Sequence, residues 1–591
     1  MASAPTDVLL VEAWEPELIR HPASRKRWAL TCSMPHRRWS ISGVFCTRRT
    51  SGRRRLGTCL ALNWRLGPWL RWLEVWKPLE VVMDRGVGSW IERRARIAPD
   101  QPALIHGEWR CTYSELANRV RRLAHGFSGL GVHRGDRVGW LGANHPAFLE
   151  VLFATAKLGA VMAPVNHRLD QAVITNVLMG YSPTVVVVEQ AAAGVSLPSA
   201  VGSRVVVGTA TGAEIDYEHL VTESPDGPVN QVIGLDDVCM LPHTSGTTGA
   251  PKGVMLTHGN ITWNVINFLS VVDFRSDDVT IAIAPFFRTG GTGVNVLPVL
   301  FRGGTVIIPD APDPDDILRL IEERRVTIGF GNPNLLEALT RSPAWPTADF
   351  SSVRFYITGG APVPERLIRR YMQRGVTFLQ GYGLSEAAPF VLLLDPANAL
   401  RKVGSAGKPP LFVDIRIVRP DGTACEPNET GELLVSGPNV MAGYWERADA
   451  TRDAIDEDGW LRKGDAARID DEEFVWIVDR VDDAYEVSAH IVYPGDVERV
   501  LTQHPAVADA GVVPRDGIGK SFVVLAAGKA VSEYDLLEFC RARLAAHQVP
   551  ASVTFVDRLP RSSVGKLLRH ELAPLAVSDA GKTWGERSSS I

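Results

Sequence analysis

The sequence predicts an α/β protein built on mostly parallel sheets, and three observations predict it. Short apolar runs bounded by turn residues recur along the chain. Between them lie longer stretches whose apolar residues repeat every three or four positions. Strands alternating with helices in this way need crossover connections, which lay the strands parallel. The third observation is length: 591 residues exceed what one hydrophobic core organises and suffice for two or three domains.

The elements follow in order. YSELANRVRRLAHGFSGLG (113–131) reads as an amphipathic helix closed by glycines, and DRVGWLG (136–142) and TVVVVE (184–189) read as buried strands. GTVIIP (304–309) and FYITGG (355–360) read as strands that run into turns. In parallel sheets ligands gather beyond the carboxyl ends of the strands, so substrate contact is expected at glycine-rich turns there. The chain shows no internal repeat and no long low-complexity linker.

Composition narrows the function classes. Hydrophobic residues make up 45% and charged residues 22% of the chain, ordinary for a soluble globular protein. Residues 1–82 carry fourteen Lys/Arg against six Asp/Glu, and the other 509 residues carry 49 against 61. An acidic body argues against nucleic acid as a partner, because phosphate backbones need a basic surface. The seven cysteines form no CxxC pair, so neither a disulfide framework nor a zinc site is expected, and a reducing cytoplasm is the natural setting. No run of about 18 apolar residues marks a transmembrane helix.

Residues 1–82 do not read like the rest. They hold seven of the sixteen tryptophans and the basic runs RHPASRKRW, MPHRRWS and TRRTSGRRRLG, without sustained periodicity. Three readings compete. A transit peptide is opposed by Asp7, Glu12, Glu15 and Glu17. A basic aromatic arm for a membrane surface or a nucleic acid is the second. The favoured third is upstream sequence translated from a start codon placed too early, since Met83 opens a stretch, MDRGVGSWIERRARIAPDQPALI, that reads as an ordinary enzyme N-terminus.

The segment PHTSGTTGAPKGV (242–254) is suited to phosphate. Gly246 and Gly249 free backbone N–H groups to approach an anion. Thr244, Ser245, Thr247 and Thr248 add hydroxyls, and Lys252 adds a positive charge. It is not a Walker A loop, because Pro251 stands where that loop needs glycine. A plain surface loop is the bland alternative, and ten residues in one pattern set it aside.

Thr244–Gly253, TSGTTGAPKG, resembles the phosphate loop of the adenylate-forming superfamily: acyl-CoA synthetases, luciferases and the adenylation domains of peptide synthetases. Further segments resemble the family's in the right order, and the resemblance covers about residues 90–573. It implies a large N-terminal domain of stacked mixed sheets with helices (83–481), a small mobile α+β C-terminal domain (482–575) and a tail (576–591). GYGLSE (381–386) is similar to the YGxTE segment, with Ser385 for threonine. There Glu386 is expected to hold Mg²⁺ against the α-phosphate, hard oxygen being the donor that ion takes. Tyr382, between Gly381 and Gly383, would offer a flat face to adenine, and GGAP, with Gly360 and Ala361, would form the opposite wall. RKGDAARID (462–470) resembles the TGD segment, Asp465 taking both ribose hydroxyls and Lys463 replacing the usual threonine. DRVDD (479–483) resembles the GRxKD segment, with Arg480 near ribose and phosphate and Asp482 at the hinge between domains. PRSSVGKLLRHEL (560–572) resembles the C-terminal PxxxxGK motif, which makes Lys566 the catalytic lysine beside the α-phosphate.

The implied reaction joins a small carboxylic acid to ATP as an acyl-adenylate, with release of pyrophosphate, and then passes the acyl group to coenzyme A as the C-terminal domain rotates. Within APFFRTGGTG (284–293), Phe287, Arg288, Gly290 and Gly291 are expected to line the acyl pocket, with Arg288 where relatives often have histidine, and Gly290, Gly291 and Gly293 are expected to leave an open path for an acyl chain or an aromatic ring. Arg288 either pairs with a second negative group on the substrate or points to solvent and caps a turn. The overall resemblance is to bacterial fatty-acyl-CoA ligases, so a medium- or long-chain fatty acid is the expected substrate. AYEVSAHIVYP (484–494) lacks the family's glycine pair, and Ser488, Ala489 and His490 stand along the acceptor channel instead. A carrier-protein thiol or an amine is therefore the alternative acceptor, with His490 as a candidate base. A degenerate member that binds nucleotide without catalysis is the remaining reading, and the joint presence of Lys252, Glu386, Asp465, Arg480 and Lys566 argues against it.

Overall fold

The helix expected at 113–131 runs Tyr113–Gly129 and is set by its own sequence. Thr112 and Glu115 close a reciprocal capping box at its start. Its buried face, Tyr113, Leu116, Ala117, Val120, Leu123, Ala124 and Phe127, follows the three- and four-residue spacing. The computed structural model describes residues 27–34, 37–44, 84–244, 251–310, 312–361, 363–488, 490–515, 517–562 and 565–577. Two units divide the chain, Met1–Val82 and Met83–Ile591. The described part of the first unit is an antiparallel hairpin of Arg27–Met34 with Arg37–Val44. The remainder of the basic extension, and the tail beyond Val577, lie outside the described residues.

The second unit carries two large mixed sheets. In the first, of nine strands, Val161–Val165, Arg137–Leu141, Val185–Glu189 and Ser203–Val207 lie side by side and parallel. The strand Lys252–Thr257 joins the same sheet antiparallel to Val238–Met240 and pairs with Gly443–Tyr444 on its other side. The second sheet has eight strands, with Thr305–Ile307, Val279–Ile281, Ile328–Gly331, Phe355–Thr358 and Thr377–Gly383 parallel at its centre. The four expected strands therefore exist, each with parallel neighbours in its sheet. The helix Pro146–Leu158 is buried along its whole length. Its two charged residues are paired, Glu150 with Arg119 at 2.6 Å and Lys157 with Glu92 at 2.8 Å, as burial of charge requires.

A four-stranded antiparallel sheet, Asp414–Val418, Gly431–Ser436, Leu461–Ile469 and Val475–Arg480, leads to the end of the large domain. One 3₁₀ turn, Val481–Asp483, follows. The small domain then has its own core of Tyr485, Val492, Val497, Val500, Leu501, Val507, Val512, Val523 and Leu536, among others. It is built on the sheet Val507–Arg515, Ile518–Leu525 and Ser552–Phe555 with the helices Pro494–Thr502 and Glu533–Arg541. A separate core is what allows such a domain to move as a body. The four described cysteines beyond residue 82, Cys111, Cys239, Cys425 and Cys540, are all free thiols.

Around the 481–483 turn one guanidinium serves three carboxylates. Arg569 lies 3.0 Å from Asp479, 3.0 Å from Asp483 and 2.9 Å from Glu498. Burial pushes the Glu498 carboxyl up to about 7, with Arg569 opposing. A carboxyl raised above its unfolded value of 4.5 gives stability that is complete below that value and lost as pH rises through about 7. Glu498→Gln keeps an acceptor for the Val512 N–H, which Glu498 now binds at 2.8 Å, and removes the ionisation. Its melting temperature should match the parent at pH 5 and exceed it at pH 8 by about 1–2 °C. Scanning calorimetry at both pH values tests this; an equal shift at both would contradict it.

Candidate active site

The phosphate loop leaves and returns at one point. His243–Thr244 pairs antiparallel with Lys252–Gly253, Thr244 opposite Lys252 and His243 opposite Gly253. Ser245, Gly246, Thr247, Thr248 and Gly249 lie outside the described residues. The Lys252 ammonium sits 5.3 Å from the ring centre of Tyr444.

The expected nucleotide residues meet where the strands Phe355–Thr358 and Thr377–Gly383 end. A side chain on Gly359 would come within 2.7 Å of the Gly381 carbonyl oxygen, and one on Gly383 within 1.9 Å of the Pro389 carbonyl oxygen, so the two turns close only with glycine. Gly360 has φ +84 and open space beside it, with Ala361 following. The Tyr382 hydroxyl donates to Asp465 Oδ2 at 2.5 Å, and Arg480 Nη1 donates to Asp465 Oδ1 at 2.8 Å. Asp465 and Arg480 face each other across the ladder of Leu461–Ile469 with Val475–Arg480. Burial holds the Tyr382 phenol well above its ordinary value, and the Asp465 charge adds to this. Burial alone would lower Arg480, but Asp465 outweighs it and the guanidinium is raised. The arrangement is a carboxyl group fixed by two donors beside a phenol ring.

Glu386 lies in the 3₁₀ turn Ser385–Ala387, more than 130 positions beyond the phosphate loop, and Tyr444 reaches both, its hydroxyl on Glu386 and its ring near the Lys252 ammonium. Its turn is anchored by Asn439, whose Nδ2 donates to the carbonyls of Ala387 at 2.9 Å and Phe390 at 2.7 Å. The carboxylate is 4% exposed as a residue. Its Oε1 accepts the Tyr444 hydroxyl at 2.6 Å and faces Lys463 Nζ at 3.0 Å. No hydrogen bond reaches Oε2 among the described residues. That free oxygen suits magnesium. Among the described residues no group of three or more His, Cys, Asp or Glu forms a metal cluster, so a metal at Glu386 would need ligands from substrate phosphates besides this carboxylate.

Lys566 is exposed on a turn whose other contacts are tight. Ser562 N–H donates to the Lys566 carbonyl at 2.8 Å, and Arg561, paired with Asp509 at 2.6 Å, donates to the Gly565 carbonyl at 2.7 Å. Gly565 has φ +93, and a side chain there would meet Asn334 Oδ1 of the large domain at 2.8 Å. The lysine turn is thus seated on the large domain. Asp482 is exposed in its 3₁₀ turn. The segment expected along the acceptor channel is elsewhere, at the tip of the hairpin Tyr485–Val487 with His490–Val492. Ser488 has φ +48, so it keeps the left-handed turn that glycine favours. His490 Nδ1 lies 2.9 Å from the Ser488 carbonyl oxygen, and its ring stacks on His547 at 4.3 Å. Ala489 lies outside the described residues.

In the expected acyl pocket, Phe287 is buried and meets the His167 ring edge-on at 5.9 Å. A side chain on Gly290 would lie 3.5 Å from the Phe330 ring, ordinary contact. Gly291 and Gly293 correct the expectation of an open glycine-lined path: their side-chain positions are taken by the Pro285 carbonyl oxygen at 2.0 Å and Pro389 Cδ at 2.7 Å. Arg288 neither extends freely into solvent nor caps the short helix Thr289–Gly293 with its side chain. Burial lowers it, and Arg168 lowers it further; no carboxylate pairs with it among the described residues. His243 is pushed down to about 4 by burial, the Pro164 carbonyl opposing and Arg288 adding. The side chains that sequence reasoning missed are Tyr444, Asn439, Asn334 and Arg569, uncharged or unpatterned residues whose roles come only from long-range contacts.

Comparison with known proteins bears on all of this. A family profile described as AMP-binding enzyme matches residues 91–445, and one described as AMP-binding enzyme C-terminal domain matches 496–566. A feruloyl-CoA synthase of an Amycolatopsis species is 44% identical over 83% of this chain and 99% of its own. A long-chain-fatty-acid–CoA ligase of Mycobacterium tuberculosis is 33% identical over 82% and 97%. The solved o-succinylbenzoate coenzyme A synthetase from Bacillus subtilis, in complex with ATP and magnesium ion, superposes with a TM-score of 0.72 at 30% identity, covering 82% of this chain and 99% of that one.

The Asp465 grip makes a direct prediction. Asp465→Asn should weaken AMP binding by about ten- to a hundredfold, the range set by loss of charged hydrogen bonds. Isothermal titration with AMP checks this, and an unchanged affinity would remove Asp465 from the nucleotide site.

Proposed function

We propose an aryl-substituted carboxylic acid, of the feruloyl kind, as the substrate of this chain, which belongs to the family of AMP-binding enzymes and is an AMP-forming acid–thiol ligase. ATP and coenzyme A fit it as co-substrates. The observation that carries the aryl reading is the 44% identity over 83% of the chain to a feruloyl-CoA synthase, against 33% to a fatty-acid ligase. The sequence alone favoured a fatty acid. Phe287, edge-on to His167, and Phe330 would pack an aryl ring.

The chemistry brings two anions together. The substrate carboxylate oxygen attacks the α-phosphorus of ATP, the bond to the β-phosphate oxygen breaks, and pyrophosphate leaves. Lys252 and the loop it closes hold the phosphates. Tyr382, Asp465 and Arg480 fix adenine and ribose, so that the α-phosphorus stands in place before reaction. Arg288 takes the carboxylate of the acid. It is a half-buried guanidinium without an acidic partner among the described residues, and its charge helps to depress His243, which immediately precedes the phosphate loop. Lys566 offsets charge growing on the transferring phosphoryl group. Magnesium, when bound through Glu386, neutralises part of the polyphosphate charge. The seat of Gly565 on Asn334 supports the reading of this arrangement as the one for adenylation. In the second step the coenzyme A sulfur attacks the acyl carbon, the thiol gives up its proton and AMP leaves. Rotation at Asp482 would bring the Ser488–His490 hairpin tip to the acceptor side. Coenzyme A is the acceptor in each relative above, and nothing favours a carrier protein or an amine.

The experiment is a panel of acids with ATP, Mg²⁺ and coenzyme A, followed by acyl-CoA mass and rate. Substituted cinnamic acids should exceed C8–C16 fatty acids in kcat/KM by about tenfold or more. Arg288→Gln should raise KM for the acid by about tenfold while changing KM for ATP little. A fatty acid as the best substrate would overturn the aryl reading.

A further inference from the structure

Lys463 stands where the family pattern has threonine, and its surroundings give that change a consequence. The strand Leu461–Ile469 carries Lys463 and Asp465 two residues apart, with Gly464 at φ +70 between them. While Asp465 holds the ribose position, Lys463 Nζ lies 3.0 Å from Glu386 Oε1 and donates to the Tyr444 hydroxyl at 2.7 Å. The Tyr444 hydroxyl in turn donates to the same Oε1 at 2.6 Å. One carboxylate oxygen is therefore engaged by a phenol and an ammonium together, in a site where Glu386 is almost wholly buried. Lys252 and Lys463 stand 5.3 and 5.4 Å from the same Tyr444 ring centre. The cavity between them is lined also by Arg462, Arg480 and Asp482.

We propose that Lys463 is a tethered cation that occupies Glu386 in the nucleotide-free enzyme and so makes metal binding depend on ATP. This rests on Glu386 being the metal carboxylate. A divalent ion approaching Oε2 meets the ammonium of Lys463 across the same carboxylate, and like charges a few ångströms apart in a partly buried site repel strongly. Free metal is therefore held weakly. The polyphosphate of ATP brings enough negative charge for metal and Lys463 to be held together, the ammonium turning part of its interaction toward phosphate. With threonine at this position, metal and nucleotide would bind Glu386 and the loop more independently. Lys463 is a positioning residue in this account: it acts on the metal through Glu386 and Tyr444.

The test measures Mn²⁺ binding by electron paramagnetic resonance, with and without a non-hydrolysable ATP analogue, on the full chain. Parent enzyme should bind Mn²⁺ weakly alone and much more tightly with the analogue. Lys463→Thr should bind Mn²⁺ alone at least about tenfold more tightly than the parent, shrinking the gap between the two conditions by the same factor. Lys463→Arg, which keeps the cation, should behave like the parent. AMP affinity, carried by Asp465, reports that each variant is folded. Equal Mn²⁺ affinity in parent and Lys463→Thr, without nucleotide, would overturn the proposal and leave Lys463 as a structural brace. Glu386→Gln separates the two layers of the argument. If it fails to weaken Mn²⁺ binding in the presence of the analogue, the reading of Glu386 as the metal carboxylate is wrong. If it weakens binding and Lys463→Thr still changes nothing, the tethered-cation proposal alone fails.

Discussion

One carboxylate ties the proposed nucleotide site to the end of the large domain. Asp465 is gripped by the Tyr382 hydroxyl at 2.5 Å and by Arg480 at 2.8 Å. Tyr382 belongs to a strand of the eight-stranded sheet, while Asp465 and Arg480 belong to the antiparallel sheet that runs into the Val481–Asp483 turn. The proposed ribose ligand therefore also fixes the end of the large domain, two residues before the proposed pivot. Anything that shifts Asp465 shifts both the adenine wall and the axis about which the small domain would turn.

The fold was legible to the extent that it depends on local pattern. The 113–131 helix has an amphipathic face and a capping box within a few residues of one another. The strands at 136–142, 184–189, 304–309 and 355–360 are apolar runs that period and turn residues delimit. Gly360, Tyr382, Asp465 and Arg480 were singled out through the family resemblance of their short segments, and the structure brings the last three together. What stayed hidden depends on distance in sequence. Asn439 braces the Glu386 turn from more than fifty positions away, and Asn334 receives the Lys566 turn from the far end of the chain. Neither has charge or period to mark it. Gly291 and Gly293 misled for the opposite reason: glycine marks either open space or a close approach of backbone, and only the packed structure tells the two apart.

Charge is distributed through the site with an evident logic. The adenylation step gathers a carboxylate, a triphosphate and Glu386, and the chain surrounds them with Lys252, Lys463, Arg480 and Arg288. Two of these cations have carboxylate partners in the free protein, Lys463 on Glu386 and Arg480 on Asp465, so they are held in place without collapsing onto one another. Arg288 has no such partner among the described residues, the state expected of a group whose partner arrives with the substrate. Acidic charge gathers instead around the pivot, where Arg569 holds Asp479, Asp483 and Glu498.

Lys566, whose turn sits against Asn334 of the large domain through Gly565, is proposed to serve adenylation and not thiol transfer. The most direct measurement separates the half-reactions by rapid quench. Parent enzyme and Lys566→Ala would each be given ATP and acid without coenzyme A, and, separately, preformed acyl-adenylate with coenzyme A. The account predicts that Lys566→Ala loses about a hundredfold or more in acyl-adenylate formation while turning supplied acyl-adenylate into acyl-CoA at close to the parent rate. Equal losses in both halves, or none in the first, would contradict it.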